Sequence, residues 1–182
     1  MLHFSSGKRA GIWFAMVHDD EGKLVACAFS LKGAIKSLPT RWRSICKRGP
    51  PDPAGFKMLY ELYMGQGKID SDLFDLAQVS RFRQKVYRMI RCIARGRVTT
   101  YGAIARKIAS RRHARVVDTA VGSNPLPLVV PRHRVVTSSL EVVNCGMPNH
   151  KPSEGADVKR GLLEREGVVL AQRRPSRGCL WS

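Results

Sequence analysis

The sequence predicts an α+β protein: a small N-terminal α/β domain (a strand hairpin plus a helix), followed by a mainly helical helix-turn-helix (winged-helix-like) domain. Three observations carry this expectation. The first third alternates apolar runs with turn residues, the second half places apolar residues at helical spacing, and the basic charge is concentrated in that second half. At 182 residues the chain is long enough for two small cores. The change of character near Gln78 sets the expected division at residues 1–77 and 78–182.

Taken in order, "GIWFAMV" and "LVACAFSL" read as strands joined by the turn "HDDEGK". The stretch "AIKSLPTRWRSICKRGPPDPAGF" predicts a helix and then a Pro/Gly loop, and "FKMLYELYM" a helix stopped at Gly65-Gln66-Gly67. In "SRFRQKVYRMIRCIARG", Phe82, Val86, Met89, Ile90 and Ile93 share one helical face, and Gly96 is expected to end the helix. A second helix is expected from Thr100, as N-cap, with Ile104 and Ile108 inward. A third, "HARVVDTAVG", is expected to bury Val116, Val117, Ala120 and Val121 and to close at Gly122 and Pro125. The last two, joined by a brief basic turn, fit a helix-turn-helix.

Charge narrows the function. The 32 basic and 14 acidic residues give a net +18. Residues 1–75 carry +3 of this and residues 76–182 carry +15. From Ala77 to Val117 there are twelve Lys or Arg and no acid. Such a field is costly unless a polyanion offsets it, so double-stranded DNA is the expected partner. Other classes fit poorly. No Gly-rich phosphate loop precedes a helix, and acids are absent from the basic region, which removes a two-metal nuclease. Cys145 and His150 are a poor metal pair, so no metal or cofactor is expected. Five irregularly spaced cysteines argue against a disulfide framework, "GIWFAMV" is too short to span a bilayer, and no targeting motif is present. The expectation is an intracellular protein, in the cytoplasm or nucleoid, monomeric and without a membrane partner.

Three segments carry a resemblance. "VTTYGAIA", "RVVDTAVGSNPLPLVVPRHRVV" and "GADVKRGLLEREGV" together resemble the DNA-binding domain of the O6-alkylguanine-DNA alkyltransferases over about residues 80–170. The resemblance implies a flipped guanine, a cysteine thiolate that accepts the alkyl group, a His that deprotonates it through water, and a Glu that orients the His. His133 and Glu166 fall at those two partners, and Arg132 falls at the nucleophile. The resemblance further implies that Tyr101 rotates the 3′ phosphate, that Arg115 fills the gap in the base stack, and that Asn124 braces the turn before the active-site strand. With Thr100, Arg95, Arg97, Arg111, Arg112 and Arg134 these make the expected DNA-binding set, and Arg132, Pro131, Val130 and Ser153 the expected pocket.

The pattern is broken in several places. A guanidinium stays protonated and offers only donors, so Arg132 cannot accept an alkyl group. Asp118-Thr119 replaces a Gly-Gly on the helix facing DNA. The loop "TSSLEVVNCGMPNHKPSEGADVK" is longer than the family's and has Pro152-Ser153-Glu154-Gly155 where the pocket tyrosine is expected. The chain therefore resembles the alkyltransferase-like proteins that lack the cysteine, which implies binding of alkylated DNA without transfer, with other repair proteins as further partners. Arg132 has two open roles: contact with a flipped guanine, or pairing with Glu166 so that it fills the pocket. Two further readings stand beside this one. The scaffold is reused as a general DNA-binding or nucleoid protein, or the chain is a DNA-acting enzyme, for instance with Cys145 as nucleophile.

Overall fold

The computed structural model describes residues 1–30, 40–68, 70–144, 152–172 and 174–181, and these divide into two compact units. The first comprises residues 1–78 and 125–129, the second residues 79–124 and 130–182. The short segment 125–129, between Asn124 and the Pro131–Val136 stretch, is thus part of the first unit, where the Pro125 carbonyl accepts from the Cys27 amide at 2.8 Å.

The first unit is a four-stranded sheet in the order β3-β2-β1-β4, from β1 (Leu2–Arg9), β2 (Ile12–His18), β3 (Leu24–Ser30) and β4 (Cys46–Arg48). Ala10 and Gly11 both take positive φ, the geometry that lets a two-residue turn join twisted strands β1 and β2. The expected β2–β3 hairpin is present, its loop held by Asp19 Oδ1, which accepts from the amides of Glu21 and Lys23. Strands β1 and β4 were not anticipated. β4 is a three-residue, partly exposed edge that pairs parallel with β1 and carries no alternation to read. It directly follows a short helix, α1 (Thr40–Ile45), in the stretch where a helix and then a loop are expected.

Helix α2 (Pro53–Tyr63) begins three residues before the apolar run that predicts it. Asp52 accepts from the Gly55 amide at 2.9 Å, and Pro53 occupies the first turn, where its missing N–H costs nothing. Its buried Phe56, Leu59 and Tyr63 lie on the sheet, with Tyr63 edge-on to Phe14 and Phe29.

The second unit holds α3 (Arg81–Arg91), α4 (Tyr101–Ile108), α5 (Ala114–Gly122) and α6 (Pro152–Arg165). β5 (Thr99–Thr100) pairs parallel with β6 (Val135–Val136), and β7 (Leu170–Ala171) pairs with β8 (Arg174–Pro175) as a small hairpin. The mixed architecture with a helix-turn-helix in its second half is the expected one. Three local expectations are corrected. α3 ends at Arg91, not at Gly96, because Cys92 caps it and Gly96 (φ 72°) serves a later turn. Val116 is exposed rather than inward, since Val117, Ala120 and Val121 already fill the buried face of α5. The long loop is shorter than its sequence reads, because residues from Pro152 onward are helical. Cys145 and His150 lie outside the described residues.

Tyr87, absent from the expected face of α3, is fully buried, and its hydroxyl donates to the Ala120 carbonyl at 2.9 Å. It ties α3 to α5 and so positions the helix pair.

Candidate functional site

The helix pair is built by ordinary local chemistry. Thr100 caps α4 as expected, its Oγ1 accepting from the Ala103 amide at 3.1 Å. Tyr101 is therefore the first helical residue, half-buried at the end of α4 where unpaired amides collect. A tight turn over Arg111–His113 leads to α5. Arg112 and Arg115 are exposed, Arg115 in the first turn of α5; only the backbone of Arg111 is described. Arg106 and Lys107 are exposed on the last turn of α4, Lys107 lying 4.2 Å from the Trp181 ring centre. The exposed face of α5 also carries Asp118 and Thr119. Thr119 Oγ1 donates to the Arg115 carbonyl, and Asp118 makes no ion pair among the described residues.

Beyond α5 the chain folds into a buried turn. Asn124 is only 7% exposed, and its Nδ2 donates to the Val130 carbonyl at 2.8 Å. The Arg132 amide donates to the same oxygen at 2.7 Å. Asn124, expected in the DNA-binding set, thus braces this turn from a buried position. Val130 and Pro131 are buried with it. Ser153 falls in the first turn of α6, and only its backbone is described.

Arg132 is 3% exposed, and its Nη1 donates to the Gly122 carbonyl at the end of α5, at 3.3 Å. The guanidinium that Glu166 holds is Arg134. Arg134 Nε donates to Oε2 and Nη2 to Oε1, each at 2.8 Å, while Nη1 donates to the Ile93 carbonyl at 2.6 Å. Arg134, expected among the DNA contacts, spends these three bonds inside the protein. Arg97, also expected at DNA, is exposed but donates through Nη1 to the Gly178 carbonyl. Arg95 is exposed just beyond α3.

His133 Nε2 lies 2.8 Å from Glu166 Oε1, both side chains 3% exposed. Burial lowers the His133 pKa; the Glu166 bond and charge raise it, and the Arg134 and Lys159 cations lower it again. The net shift is downward, which leaves a neutral ring with its proton on Nε2 facing Glu166 and a bare acceptor at Nδ1. Among the described residues Nδ1 has no hydrogen-bond partner. For Glu166, burial pushes the carboxyl up, and the bonds and charges of His133 and Arg134 more than offset it, leaving the pKa at about 2. The pair is an oriented base with its acceptor unengaged.

Sequence reasoning missed Lys159. It is fully buried on α6, and Nζ donates to the Val135 carbonyl at 2.6 Å. A signal was available: residues 155, 159, 162 and 163 form the buried stripe of α6, so Lys159 sits on an apolar face. Among the described residues no group of three or more ligating side chains could hold a metal, and no helix is long and apolar enough to cross a membrane.

A short basic turn between α4 and α5, with cations on the outer face and a buried His–Glu pair on the segments that follow, defines a helix-turn-helix DNA-binding fold. Residues 81–168 match the family profile described as 6-O-methylguanine DNA methyltransferase, DNA binding domain. Named relatives extend the match over most of the chain. The methylated-DNA–protein-cysteine methyltransferase of Thermococcus barophilus is 30% identical over 86% of this chain and 90% of its own, and that of Thermococcus kodakarensis 30% identical over 91% and 94%. The chain belongs to the methylated-DNA–protein-cysteine methyltransferase family. The crystal structure of the Mycobacterium tuberculosis O6-methylguanine methyltransferase superposes with a TM-score of 0.71, covering 97% of this chain and 96% of that one; at 24% identity this likeness is one of fold.

Proposed function

We propose that this protein binds alkylated duplex DNA without accepting the alkyl group. The observation that carries the reading is the buried Arg132 at the family's acceptor position, beside a His133–Glu166 pair that is still assembled. A relative of this chain needs a thiolate there, and a guanidinium has no lone pair to give at neutral pH. What remains is the binding half of the machinery: Tyr101 at the start of α4, Arg115 and Arg112 on the outer surface of the helix pair, and Thr100 capping α4. A solved M. tuberculosis protein of the same fold is in complex with DNA, in keeping with duplex DNA as the partner.

The first test is intact mass. After incubation with a duplex carrying one O6-methylguanine, the protein is expected to keep its mass; a gain of one methyl group would overturn the reading. Lesion and undamaged duplexes should then differ in affinity across a salt series.

One observation favours a second reading, general DNA binding on the same scaffold. Arg132 is buried and bonded to the Gly122 carbonyl, so its side chain takes up space where the resemblance implies a flipped base. Equal affinities for lesion and undamaged duplexes, with a steep salt slope, would select that reading.

A further inference from the structure

The acid-free run of cations reads as one patch in sequence, but it is divided between two faces in the fold. Arg106, Lys107, Arg112 and Arg115 belong to α4, α5 and the turn between them. Arg81, Lys85 and Arg88 belong to α3. At 100° per residue these three fall within about 60° of one another, with Ile90 on the far side of the helix. All three are exposed, and none pairs with a carboxylate among the described residues. Arg88 Nη2 has only a 3.5 Å contact with Gln84 Oε1.

The stripe is electrostatically unfavourable for the helix that carries it. Cations three and four residues apart repel along one face. Arg81 and Arg83 occupy the first turn, where the helix dipole disfavours positive charge, and no acid sits there to balance them. A polyanion offsets all of these terms together. The stripe also points away from the helix pair. α3 packs on α4 and α5 through its opposite face, Val86, Tyr87 and Ile90, with the Tyr87 hydroxyl on the Ala120 carbonyl. The stripe is therefore on the side of α3 opposite the face that packs on α4 and α5.

We propose that the Arg81–Lys85–Arg88 stripe is a second duplex-binding face, so that one chain holds two DNA segments. The inference rests on the reading of α5 as the first duplex site. Helix α3 is about 16 Å long, which matches roughly five phosphates of one strand at about 3.4 Å per phosphate. The contact is with backbone charge and carries no sequence or lesion preference.

The test uses the full chain and two undamaged duplexes of different mass, with complexes counted by native mass spectrometry and affinities measured by fluorescence anisotropy. One chain with two duplexes is expected for the wild type. In the Arg81→Gln/Lys85→Gln/Arg88→Gln variant the first duplex should bind as before. Raising salt from about 50 to 200 mM should weaken second-duplex binding about 40-fold more in the wild type than in the variant, at ~0.9 in slope per phosphate contact for three contacts. Arg115→Ala should weaken the first duplex and spare the second. The proposal is overturned if no chain carries two duplexes, if only pairs of chains do, or if the variant keeps the wild-type slope. It is overturned equally if the variant loses the first duplex as much as the second. Absence of any duplex binding would instead refute the reading of α5. Lys85→Gln alone, with a smaller change of the same sign, guards against loss of fold in the triple variant.

Discussion

At the scale of single residues, Glu166 gathers the site. One carboxylate takes a bond from His133 and two from Arg134, and its pKa falls to about 2 from the ordinary 4.5. Because the folded pKa is depressed, the stability it contributes is present above pH 4.5 and is lost as pH falls toward about 2. His133 acts in the same direction at higher pH. Its folded pKa lies below 6.5, so the unfolded chain takes a proton that the native ring refuses, and stability declines on acidification below that point. Urea unfolding followed from pH 7 downward should show both losses. In Glu166→Gln the loss between pH 4.5 and about 2 should vanish, and stability at pH 7 should fall by roughly 3–5 kcal/mol because Arg134 is left half-buried without its carboxylate. A pH profile unchanged by the substitution would mean that Glu166 is not the titrating group.

At the scale of elements, the register between α3 and α5 matters most, because α5 presents Arg115. The Tyr87 hydroxyl, buried against the Ala120 carbonyl, is a polar link in that contact. Tyr87→Phe should cost about 1 kcal/mol in equilibrium unfolding, since the Ala120 carbonyl loses one of two donors and keeps the Ser123 hydroxyl at 3.1 Å, while the ring packing is kept. Periodicity found the helices here but not their polar locks. Val86 and Ile90 announce a buried face, and Lys159 falls on one, but the carbonyls that Tyr87 and Lys159 bond are set only by the fold. For the same reason Val116 misleads: it is apolar and next to Val117, but one residue turns the side chain by about 100° and out of the core. Strand β4 was illegible because three edge residues carry no period at all.

At the scale of the whole molecule, a net +18 is a self-repulsion that works against the compact state. The thermal midpoint should therefore rise as sodium chloride is increased from low ionic strength toward about 0.5 M, as screening shortens the reach of that field. Neutralising the α3 stripe with Gln should reduce the rise. A midpoint independent of salt would show that the cations are already compensated inside the fold.

The sequence alone determined the α+β class, the helix-turn-helix and the family, because these rest on periodicity, turn chemistry and a motif that are local along the chain. It also determined that position 132 offers no nucleophile, since that is a property of the guanidinium itself. Only the tertiary structure decided which arginine Glu166 holds. Arg132 and Arg134 are two residues apart and chemically identical, and the turn after Asn124 aims one at the Gly122 carbonyl and the other at the carboxylate. Only the fold, likewise, separated one run of positive charge into two faces, because helix packing sets the direction of each side chain and a sequence records only their order.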